Sequence, residues 1–372
     1  MIRDILFFQH NTEFGLTERY LSQLAIKLDR SKFRSHIVYP DASKLDKFNG
    51  LVEYGVNLHV LPEQVFNTNF FHSIKIIMES LIELQPDLIH FNDPGVIGML
   101  AARLYNSSPI VMTHHTPELD RNYDLPGKIL EKLAFLGNTE VIFTSEQDSR
   151  TGGVLDGNYK WNHTVIPYGI DVSLFDGDLN KKDIFDRFNI PYDHKVVVNV
   201  ARLVPQKGHK YLILAAENVI ETLGNVSFLI IGDGELRQEL QYQVDQAGIS
   251  DRCIFAGYVS DVHNILNVCD AFVMPSLFEG LCMAVLEASA SGLPVVSTRV
   301  GGIPSVVVND ETGILVPVKD VDKLTSGIMK MICNPEYSNR LGESGRNIVV
   351  EKFSVGSMIK NTEDLYDRVL GK

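Results

Sequence analysis

Short apolar segments rich in β-branched and aromatic residues alternate with segments of helical periodicity along most of the chain. In the first half, the segments expected to be strands are Asp4–Phe8, Arg34–Val38, Asn57–Val60, Leu88–Phe91, Ile110–Thr113, Val141–Thr144 and Thr164–Ile166. Several of them are apolar on both faces, which is typical of strands in a parallel sheet covered by helices. The alternation therefore predicts βαβ units built on parallel sheets.

The same alternation begins again in the second half. Strands are expected there at Lys195–Val200, Val226–Ile231, Cys253–Ala256, Ala271–Met274, Pro294–Ser297 and Ile314–Val316. Helices are expected in the two halves at about Thr17–Leu28, Phe71–Leu84, Val96–Tyr105, Tyr211–Thr222, Glu235–Ala247, Leu281–Ser291, Ser305–Val308 and Val321–Cys333. For a chain of 372 residues, this pattern predicts two doubly wound α/β domains in tandem.

The junction between the domains is expected near Ile166–Lys182, where several Gly and Asp residues and a Pro interrupt the pattern. We therefore expect an N-terminal domain over residues 1–170 and a C-terminal domain over 171–352. A last helix, about Val355–Leu370, can pack on either domain, and we assign it, with residues 353–372, to the first. Two such domains facing each other across a cleft would suit an enzyme with two substrates, although fold alone does not prove function.

Composition and charge exclude some classes of function. The formal net charge is −13, and an acidic surface repels phosphate backbones, so no nucleic-acid partner is expected. Four cysteines without metal-type spacing indicate reduced thiols in a cytoplasmic protein. No apolar run reaches the ~18–20 residues that span a bilayer. The segment Met1–Gly15 is better explained as a strand than as a signal peptide.

Two cations follow the first strand of the second half. Arg202 and Lys207 lie just beyond Lys195–Val200, at the carboxyl end of a strand, where doubly wound sheets bind their ligands. An Arg fork and a Lys point charge that converge on one crevice are typical of a diphosphate site. A solvated loop with surface cations would explain the same residues, so both interpretations stay open.

Two glutamates hold a similar position after the strand Ala271–Met274. Glu279 and Gly280 precede an expected helix, whose first backbone N–H groups form a ready anion site. Glu287 follows Gly280 by about two turns, or about 10 Å, so the two carboxylates suit a ligand with hydroxyl groups at two places. The alternative is two solvated carboxylates, with Glu279 complementing the helix dipole.

In the first half, His114 and His115 directly follow the strand Ile110–Thr113 and open onto the same kind of crevice. Either histidine could instead bond a loop carbonyl. Glu118 follows His114 by four residues, but no third ligand is placed, so no metal is expected. The run Ile230–Glu235 has a Gly-x-Gly but lacks the third glycine of the dinucleotide fingerprint, which disfavours a dehydrogenase.

A series of short motifs runs through the second half of the chain. They are Ala201-Arg202-Leu203, Gln206-Lys207-Gly208, Ile231-Gly232-Asp233-Gly234, Phe255-Ala256-Gly257, Pro275-Ser276, Glu279-Gly280, Glu287-Ala288, Ser291–Val296, Gly301–Pro304 and Thr312–Val316. Their order and spacing resemble those of the retaining nucleotide-sugar glycosyltransferases of family four, whose signature is Glu, seven residues, Glu. The resemblance covers nearly the whole chain. It implies the GT-B fold, an α/β architecture of two Rossmann-like, doubly wound domains that face a central cleft.

The resemblance also implies roles for individual residues. Arg202 and Lys207 would bind the diphosphate of the donor, Glu279 would hold the donor sugar, and Glu287 would bind the ribose hydroxyls. Backbone amides near the start of the helix would help at the phosphates, and the base would lie near Gly257–Val259. The donor-binding residues implied in this way are Gly15, Arg202, Lys207, Gly257, Tyr258, Val259, Glu279, Gly280, Leu281, Cys282, Met283 and Glu287.

In the N-terminal domain, which would be the acceptor side, Thr113-His114-His115 matches a Thr-x-His pattern of the family. His115, with His114 second, would lie beside the reacting carbon, and the implied catalytic residues are His115, His114, Glu279, Arg202 and Lys207. The chain departs from the family pattern at Phe14, Ala201 and Ser305 and at two further places. Tyr168 stands where Asn is common, and Gly280-Leu281-Cys282 stands where Gly-Phe-Gly is common.

The resemblance predicts retaining, metal-independent hexosyl transfer from a nucleoside-diphosphate sugar, without a further cofactor. The acceptor would be a hydroxyl of a glycan, a glycolipid or a small metabolite. A nucleotide-sugar epimerase, which would need no acceptor, and a non-catalytic nucleotide-sugar sensor are the alternatives. The segment Val65–Leu84 is apolar but holds one Lys, so membrane contact is expected to be weak.

Overall fold

A computed structural model of the chain describes residues 2–9, 16–39, 49–62, 69–92, 96–115, 139–151, 162–177 and 180–371. The chain forms two compact units. The N-terminal unit comprises Met1–Gly169 together with Val355–Lys372, and the C-terminal unit comprises Ile170–Ser354. A parallel β-sheet forms the centre of each unit.

The described residues form strands and helices in regular alternation. The strands are β1 (Arg3–Gln9), β2 (Phe33–Tyr39), β3 (Asn57–Val60), β4 (Leu88–Asn92), β5 (Ile110–His114), β6 (Thr139–Phe143), β7 (Asn162–Val165), β8 (Lys195–Val200), β9 (Val226–Ile231), β10 (Cys253–Gly257), β11 (Ala271–Met274), β12 (Val295–Thr298) and β13 (Gly313–Val316). The α-helices are α1 (Leu16–Lys27), α2 (Asn49–Val52), α3 (Phe70–Leu84), α4 (Val96–Tyr105), α5 (Glu146–Thr151), α6 (Lys181–Arg187), α7 (His209–Leu223), α8 (Arg237–Gln246), α9 (Val262–Leu266), α10 (Met283–Ala290), α11 (Val321–Cys333), α12 (Pro335–Lys352) and α13 (Val355–Val369).

The sheet of the N-terminal unit has the strand order β3-β2-β1-β4-β5-β6-β7. The chain leaves β1 for β2 and β3 and then returns to β4 on the other side of β1, so the strand order reverses between β1 and β4. Gln9 pairs with Asn92 in register, and Asn92 pairs with Thr113. Polar residues at the ends of three neighbouring strands therefore lie side by side at the switch point, where such sheets bind ligands.

Helices α3, α4 and α13 cover apolar surface of the N-terminal unit. A Cβ on Gly98 of α4 would lie 2.9 Å from the Phe91 ring, so this helix packs closely on the sheet. Helix α13 buries Tyr366 completely, and the Tyr366 ring meets Phe33 of β2 edge-on with centroids 5.8 Å apart. The helix that follows the C-terminal unit is therefore part of the N-terminal unit.

The sheet of the C-terminal unit has the order β10-β9-β8-β11-β12-β13. Its strand order reverses between β8 and β11, the two strands that precede the predicted cations and glutamates. Apolar residues of α7 and α11 pack against this sheet in one continuous core. The two switch points are the places where a doubly wound unit is expected to bind ligands.

Two parts of the C-terminal unit differ from the helix predictions. Helix α12, Pro335–Lys352, was not predicted. The helix predicted at Ser305–Val308 is a single 3₁₀ turn at Ile303–Ser305, since Pro304 and the short segment do not allow a longer helix. The helix predicted at about Leu281–Ser291 is confirmed as α10, which begins at Met283.

Within the described ranges, no helix has both the length and the hydrophobicity that crossing a bilayer requires.

Candidate active site

An ion pair joins the loops that follow β8 and β11 in the C-terminal unit. Lys207 Nζ lies 2.6 Å from Glu279 Oε1, and the two side chains are only 15% and 6% exposed. The Ser276 hydroxyl donates a second hydrogen bond, 2.6 Å long, to the same carboxylate oxygen. Glu279 is therefore a buried carboxylate with a charged and a neutral donor, which removes the cost of burying it alone.

The backbones of these two loops are bonded to each other. The Leu277 N–H donates to the Gln206 carbonyl at 2.8 Å, and the Gln206 side chain donates to the Phe278 carbonyl at 2.9 Å. Gly208 makes the approach possible, because its φ is +68° and a Cβ there would lie 2.2 Å from the Pro275 carbonyl oxygen. The chain thus holds Lys207 and Glu279 together through the backbone as well as through their side chains.

The loop after β12 supports Glu279 from the other side. The Gly302 N–H donates to the Gly280 carbonyl at 2.9 Å, and Thr298 Oγ1 donates to the Ser276 carbonyl at 2.5 Å. Gly301 has φ +54°, and a Cβ there would lie 1.8 Å from the Glu279 carbonyl oxygen. Glu279 therefore stands in a loop whose backbone has little freedom to move.

Helix α10 begins directly after this loop. Cys282 is its N-cap, with no side-chain cap hydrogen bond, and burial together with the Glu279 charge raises the pKa of its thiol to about 12. Met283 and the residues after it supply the first-turn N–H groups, whereas Gly280 and Leu281 precede the helix. Glu287 lies one turn further along α10 and is half-buried, so the helix carries both an anion-binding end and a carboxylate.

Arg202 and a buried histidine flank Lys207. Arg202 is exposed just beyond β8. His209 opens α7 at 1% exposure, and its Nε2 lies 3.0 Å from Asn199 Oδ1, while the Asn199 amide donates to the Val273 carbonyl at 2.8 Å. Burial and the Lys207 charge lower the pKa of His209 to about 4. A buried neutral histidine therefore directly follows the loop that carries Arg202 and Lys207.

The segment expected near the donor base ends β10. The Gly232 N–H donates to the Gly257 carbonyl at 2.8 Å, which joins the loops after β9 and β10. The Tyr258 side chain is 79% exposed, whereas Val259 is buried. Tyr258 therefore offers a free aromatic face, and Val259 anchors the segment that carries it.

His115 lies at the carboxyl edge of the N-terminal sheet, directly after β5. Its Nδ1 is 2.6 Å from the Tyr168 hydroxyl, and its Nε2 is 2.5 Å from Asn92 Oδ1. Burial, followed by the charges that His90 and His114 would carry, lowers the pKa of His115 to about 3. His115 is therefore neutral, and both of its ring nitrogens are engaged.

The hydrogen bonds of His115 continue into the interior of the N-terminal unit. Asn92 Nδ2 donates to Gln9 Oε1 at 2.5 Å, and Gln9 Nε2 donates to Glu18 Oε1 at 2.8 Å. Glu18 is completely buried in the first turn of α1. The buried Glu18 carboxylate is thus linked to Tyr168 through Gln9, Asn92 and His115.

A second chain of buried hydrogen bonds lies in the same unit. The Tyr366 hydroxyl is 2.5 Å from His90 Nδ1, and His90 Nε2 is 2.7 Å from Thr113 Oγ1. Thr113 Oγ1 also lies 3.1 Å from the Tyr20 hydroxyl. Burial lowers the pKa of His90 to about 3, so this histidine is also neutral.

The structure brings some of the predicted site residues together. Lys207 contacts Glu279. Arg202 lies in the loop between β8 and Lys207, and Glu287 lies on α10, the helix that follows Glu279. His114 is buried as the last residue of β5, and the predicted Gly15 lies outside the described residues. Among the described residues, no three His, Cys, Asp or Glu side chains are grouped as a metal site would require.

Sequence reasoning assigned no role in these sites to several residues that support them. In the N-terminal unit they are Gln9, Glu18, Asn92 and Tyr168, and in the C-terminal unit they are Asn199, His209 and Ser276. One signal was available: Gln9 and Asn92 each close an apolar strand with a polar side chain. Such a residue at the carboxyl end of a parallel strand points into the ligand-binding edge.

Comparison with known proteins relates most of the chain to glycosyltransferases. One family model, described as Glycosyltransferase Family 4, matches residues 17–174, and a second, Glycosyl transferases group 1, matches residues 180–348. The UDP-Gal:alpha-D-GlcNAc-diphosphoundecaprenol alpha-1,3-galactosyltransferase of Escherichia coli is 30% identical over 316 residues, or 79% of this chain and 81% of the relative.

Two further comparisons cover more of the chain. A GDP-mannose-dependent alpha-(1-6)-phosphatidylinositol monomannoside mannosyltransferase of Mycobacterium tuberculosis is 28% identical over 359 residues, 91% of each chain. The crystal structure of Anabaena HepE in complex with UDP matches with a TM-score of 0.83 at 20% identity, over 98% of this chain and 100% of that one. The structural match supports the fold assignment.

Proposed function

The chain belongs to glycosyltransferase family four, whose members have the GT-B fold, and from this premise we propose that it transfers a hexose from a UDP-sugar to a lipid-linked saccharide. The transfer would retain the configuration at the anomeric carbon. The choice of UDP and of a lipid-linked acceptor is supported by the Escherichia coli relative, whose name gives UDP-Gal as donor and a diphosphoundecaprenol-linked sugar as acceptor. The UDP complex of HepE agrees with this nucleotide.

The observation that carries the proposal is the ion pair between Lys207 and Glu279. Its position at the β8/β11 switch point, beside exposed Arg202 and the start of α10, suits a diphosphate followed by a sugar. When the donor binds, its phosphate oxygens would take over part of the Lys207 interaction. Glu279 would then accept a hydrogen bond from a hydroxyl of the donor sugar.

The reaction breaks the bond between the anomeric carbon and the β-phosphate oxygen and forms a bond from that carbon to the acceptor oxygen on the same face. The acceptor proton passes to the departing phosphate. Negative charge grows on UDP as the bond breaks, and Lys207, Arg202 and the first N–H groups of α10 would stabilise it. Preorganised charges of this kind are often the largest contribution to catalysis.

The remaining donor contacts follow from the same placement. Glu287, half-buried on α10, would accept hydrogen bonds from the ribose hydroxyls. The exposed ring of Tyr258 would cover the uracil base, next to Gly257 and Val259. In the N-terminal unit, His115 would lie beside the reacting carbon, with His114 behind it in β5.

We assign the stabilisation of the leaving group to protein cations and therefore propose that no metal ion takes part. EDTA would then leave the transfer rate unchanged, whereas loss of activity that Mg²⁺ restores would contradict this part of the proposal. We also place the reaction in the cytoplasm, since all four cysteines, each among the described residues, are free thiols.

A donor screen followed by a transfer assay tests the proposal. Binding raises the melting temperature according to occupancy, so UDP-Gal, UDP-Glc and UDP-GlcNAc should raise it, whereas GDP-Man and ADP-Glc should not. The donors that bind are then incubated with polyprenyl-diphosphate-linked GlcNAc, and the product is identified by mass and by the anomeric coupling constant. A shift with GDP-Man alone would replace the UDP assignment with the donor named for the mycobacterial relative.

Two results would reject sugar transfer itself. Conversion of the donor sugar to its epimer without any acceptor would indicate an epimerase. Binding of UDP-sugars without turnover over a panel of lipid-linked and free saccharides would indicate a nucleotide-sugar sensor. The α-linked product of the assay is the outcome expected here.

A further inference from the structure

The environment of His115 determines which of its ring nitrogens carries the proton. The Thr17 backbone carbonyl accepts a hydrogen bond from the Asn92 side chain at 3.0 Å, so the Asn92 amide nitrogen must point toward α1. Its oxygen therefore faces His115 Nε2 at 2.5 Å. Because an amide oxygen only accepts, Nε2 must carry the hydrogen.

The protonation state of Nδ1 follows from that of Nε2. A neutral imidazole with hydrogen on Nε2 has a lone pair on Nδ1, so Nδ1 accepts a hydrogen bond from the Tyr168 hydroxyl at 2.6 Å. The rings of His115 and Tyr168 are nearly parallel, at 8°. Tyr20 meets both rings edge-on, with centroid distances of 5.1 Å and 5.7 Å. The ring of His115 is therefore held in position as well as in tautomer.

We propose that Asn92 and Tyr168 are positioning residues that lock His115 as the neutral Nε2–H tautomer, so that His115 takes part in sugar transfer without acting as acid or base. With both nitrogens engaged, only its ring carbon atoms and its backbone groups remain to meet a substrate. This inference rests on the proposed function for its kinetic consequence. Its structural part, the tautomer, stands on the geometry of the N-terminal unit alone.

The charged and titratable groups around His115 in the described residues support a neutral ring. These groups are His90 on β4, His114 on β5, Glu18 and Tyr20 on α1, and Tyr168. Glu18 is separated from the imidazole by Gln9 and Asn92, so no carboxylate among these groups contacts the ring. With the pKa of His115 lowered to about 3, its protonation does not change over the pH range of an assay.

The molecule contains a matched control for the Tyr168 hydroxyl. The Tyr366 hydroxyl lies on His90 Nδ1 at 2.5 Å, the same pair of groups in the same unit, but on a histidine outside the proposed site. Tyr168→Phe and Tyr366→Phe each leave a buried imidazole nitrogen without its partner, so both variants should be destabilised to a similar extent. Only Tyr168→Phe should change the chemistry.

The experiment combines NMR with kinetics. Long-range ¹H–¹⁵N spectra of the full chain with labelled histidine should show His115, assigned by comparison with His115→Gln, as the Nε2–H tautomer from pH 5 to 8. For Tyr168→Phe, kcat should fall about 10–100-fold, with KM for the donor changed less than about threefold. For Tyr366→Phe, kcat should stay within about threefold of wild type.

Asn92→Asp provides the pH readout. A carboxylate in place of the amide oxygen would favour the imidazolium form of His115 and raise its pKa. The pH profile of kcat should therefore gain a titration in this variant that the wild-type enzyme lacks.

A wild-type His115 that titrates between pH 5 and 8, or carries hydrogen on Nδ1, overturns the proposal, and so do equal losses of kcat in the two tyrosine variants. If no donor is turned over at all, the NMR result still decides the tautomer, which separates this inference from the proposed function.

Discussion

The carboxyl edges of the two sheets differ in whether their buried side chains are charged or neutral. In the C-terminal unit, the edge carries a charged pair, Lys207 and Glu279, with Arg202 exposed beside it. In the N-terminal unit, His115 and His90 are kept neutral, and polar side chains bond one another in chains. One edge thus supplies fixed charge for a charged ligand, whereas the other supplies fixed shape and orientation.

Burial explains why the two edges differ. Burying an ion is costly unless hydrogen bonds or a partner of opposite charge accompany it, and Glu279 has both in Ser276 and Lys207. The imidazole of His115 is instead surrounded by Asn92, Tyr20 and Tyr168, which offer no counter-charge. Its neutral form is therefore the stable one.

Removing charge from the C-terminal edge should have the largest effect. Lys207→Met should lower kcat/KM by about 10³-fold, or about 4 kcal/mol, because the charge on the departing phosphate loses its cation. Lys210→Met is the matched control, since Lys210 is exposed on α7 and lies over the Tyr211 ring. Steady-state rates of nucleotide release in the presence of acceptor measure both, and equal rates for the two variants would contradict the role of Lys207.

The close approach of the two charged loops can be broken without touching a charge. Gly208→Ala should destabilise the protein by about 3 kcal/mol and lower transfer, because its Cβ would lie 2.2 Å from the Pro275 carbonyl oxygen. Gly224→Ala is the control: its φ is +76°, but no atom lies within 4 Å of the added Cβ. Urea unfolding of both variants separates the effect of the close contact at Gly208 from the strain that a side chain causes at a positive φ. Equal losses in the free energy of unfolding would show that the loops are free to separate.

Mild acid should weaken the neutral edge more than the charged one. His90 and His115 have pKa values near 3, and His209 in the C-terminal unit has a pKa near 4, all below the value of about 6.5 in an unfolded chain. Below pH 6.5 the unfolded chain binds protons that the folded chain does not, so the free energy of unfolding decreases as the pH is lowered. By pH 5 the loss is about 2 kcal/mol per histidine.

Hydrogen exchange measured by mass spectrometry at pH 7 and pH 5, corrected for the intrinsic rates, resolves the two units. With two such histidines against one, the core strands of the N-terminal unit should lose about 2 kcal/mol more protection than those of the C-terminal unit. Equal losses would show that the buried histidines do not control the acid response.

The smallest effect is expected from the geometry of a single cation. Arg202→Lys keeps the positive charge but loses the planar fork, so UDP should bind about fivefold more weakly, or about 1 kcal/mol. Arg252→Lys is the control, because Arg252 directly precedes β10, at the opposite edge of the sheet. Calorimetric titration with UDP at low salt measures both, and an unchanged dissociation constant for Arg202→Lys would remove Arg202 from the diphosphate site.

The elements that could be predicted are those whose secondary structure is indicated by the composition of the segment itself. The strands β8 and β9 match their predicted bounds residue for residue, because each is rich in apolar and β-branched residues. Helix α12 was missed because Gly342 and Gly345 interrupt a polar segment. In the structure, Gly342 is where the helix meets the Gly292 carbonyl, 2.0 Å from where a Cβ would lie, so a tertiary contact explains a residue that sequence reasoning takes as a helix breaker.

The same distinction applies to the candidate site, where some residues could be predicted from their own segments and the contacts between segments could not. Lys207 and Glu279 could each be predicted as a site residue because each follows a strand, whereas their ion pair depends on β8 and β11 being neighbours in the sheet. The chain from Tyr168 to Glu18 could not be predicted either, because it depends on β1, β4 and β5 being neighbours in the sheet. Sequence order alone does not specify that adjacency, although Gln9 and Asn92 at strand ends were a visible sign of it.

The return of α13 to the N-terminal unit has a consequence for how the protein is made. Residues 1–169 leave the ribosome first, yet Tyr366, which covers His90 and Phe33, is translated only after the whole C-terminal unit. At typical elongation rates of 5–20 residues per second, this delay is roughly ten to forty seconds. The half of the enzyme that is synthesised first is therefore the last to be completed, and until then its nascent core has an open side that chaperones can recognise.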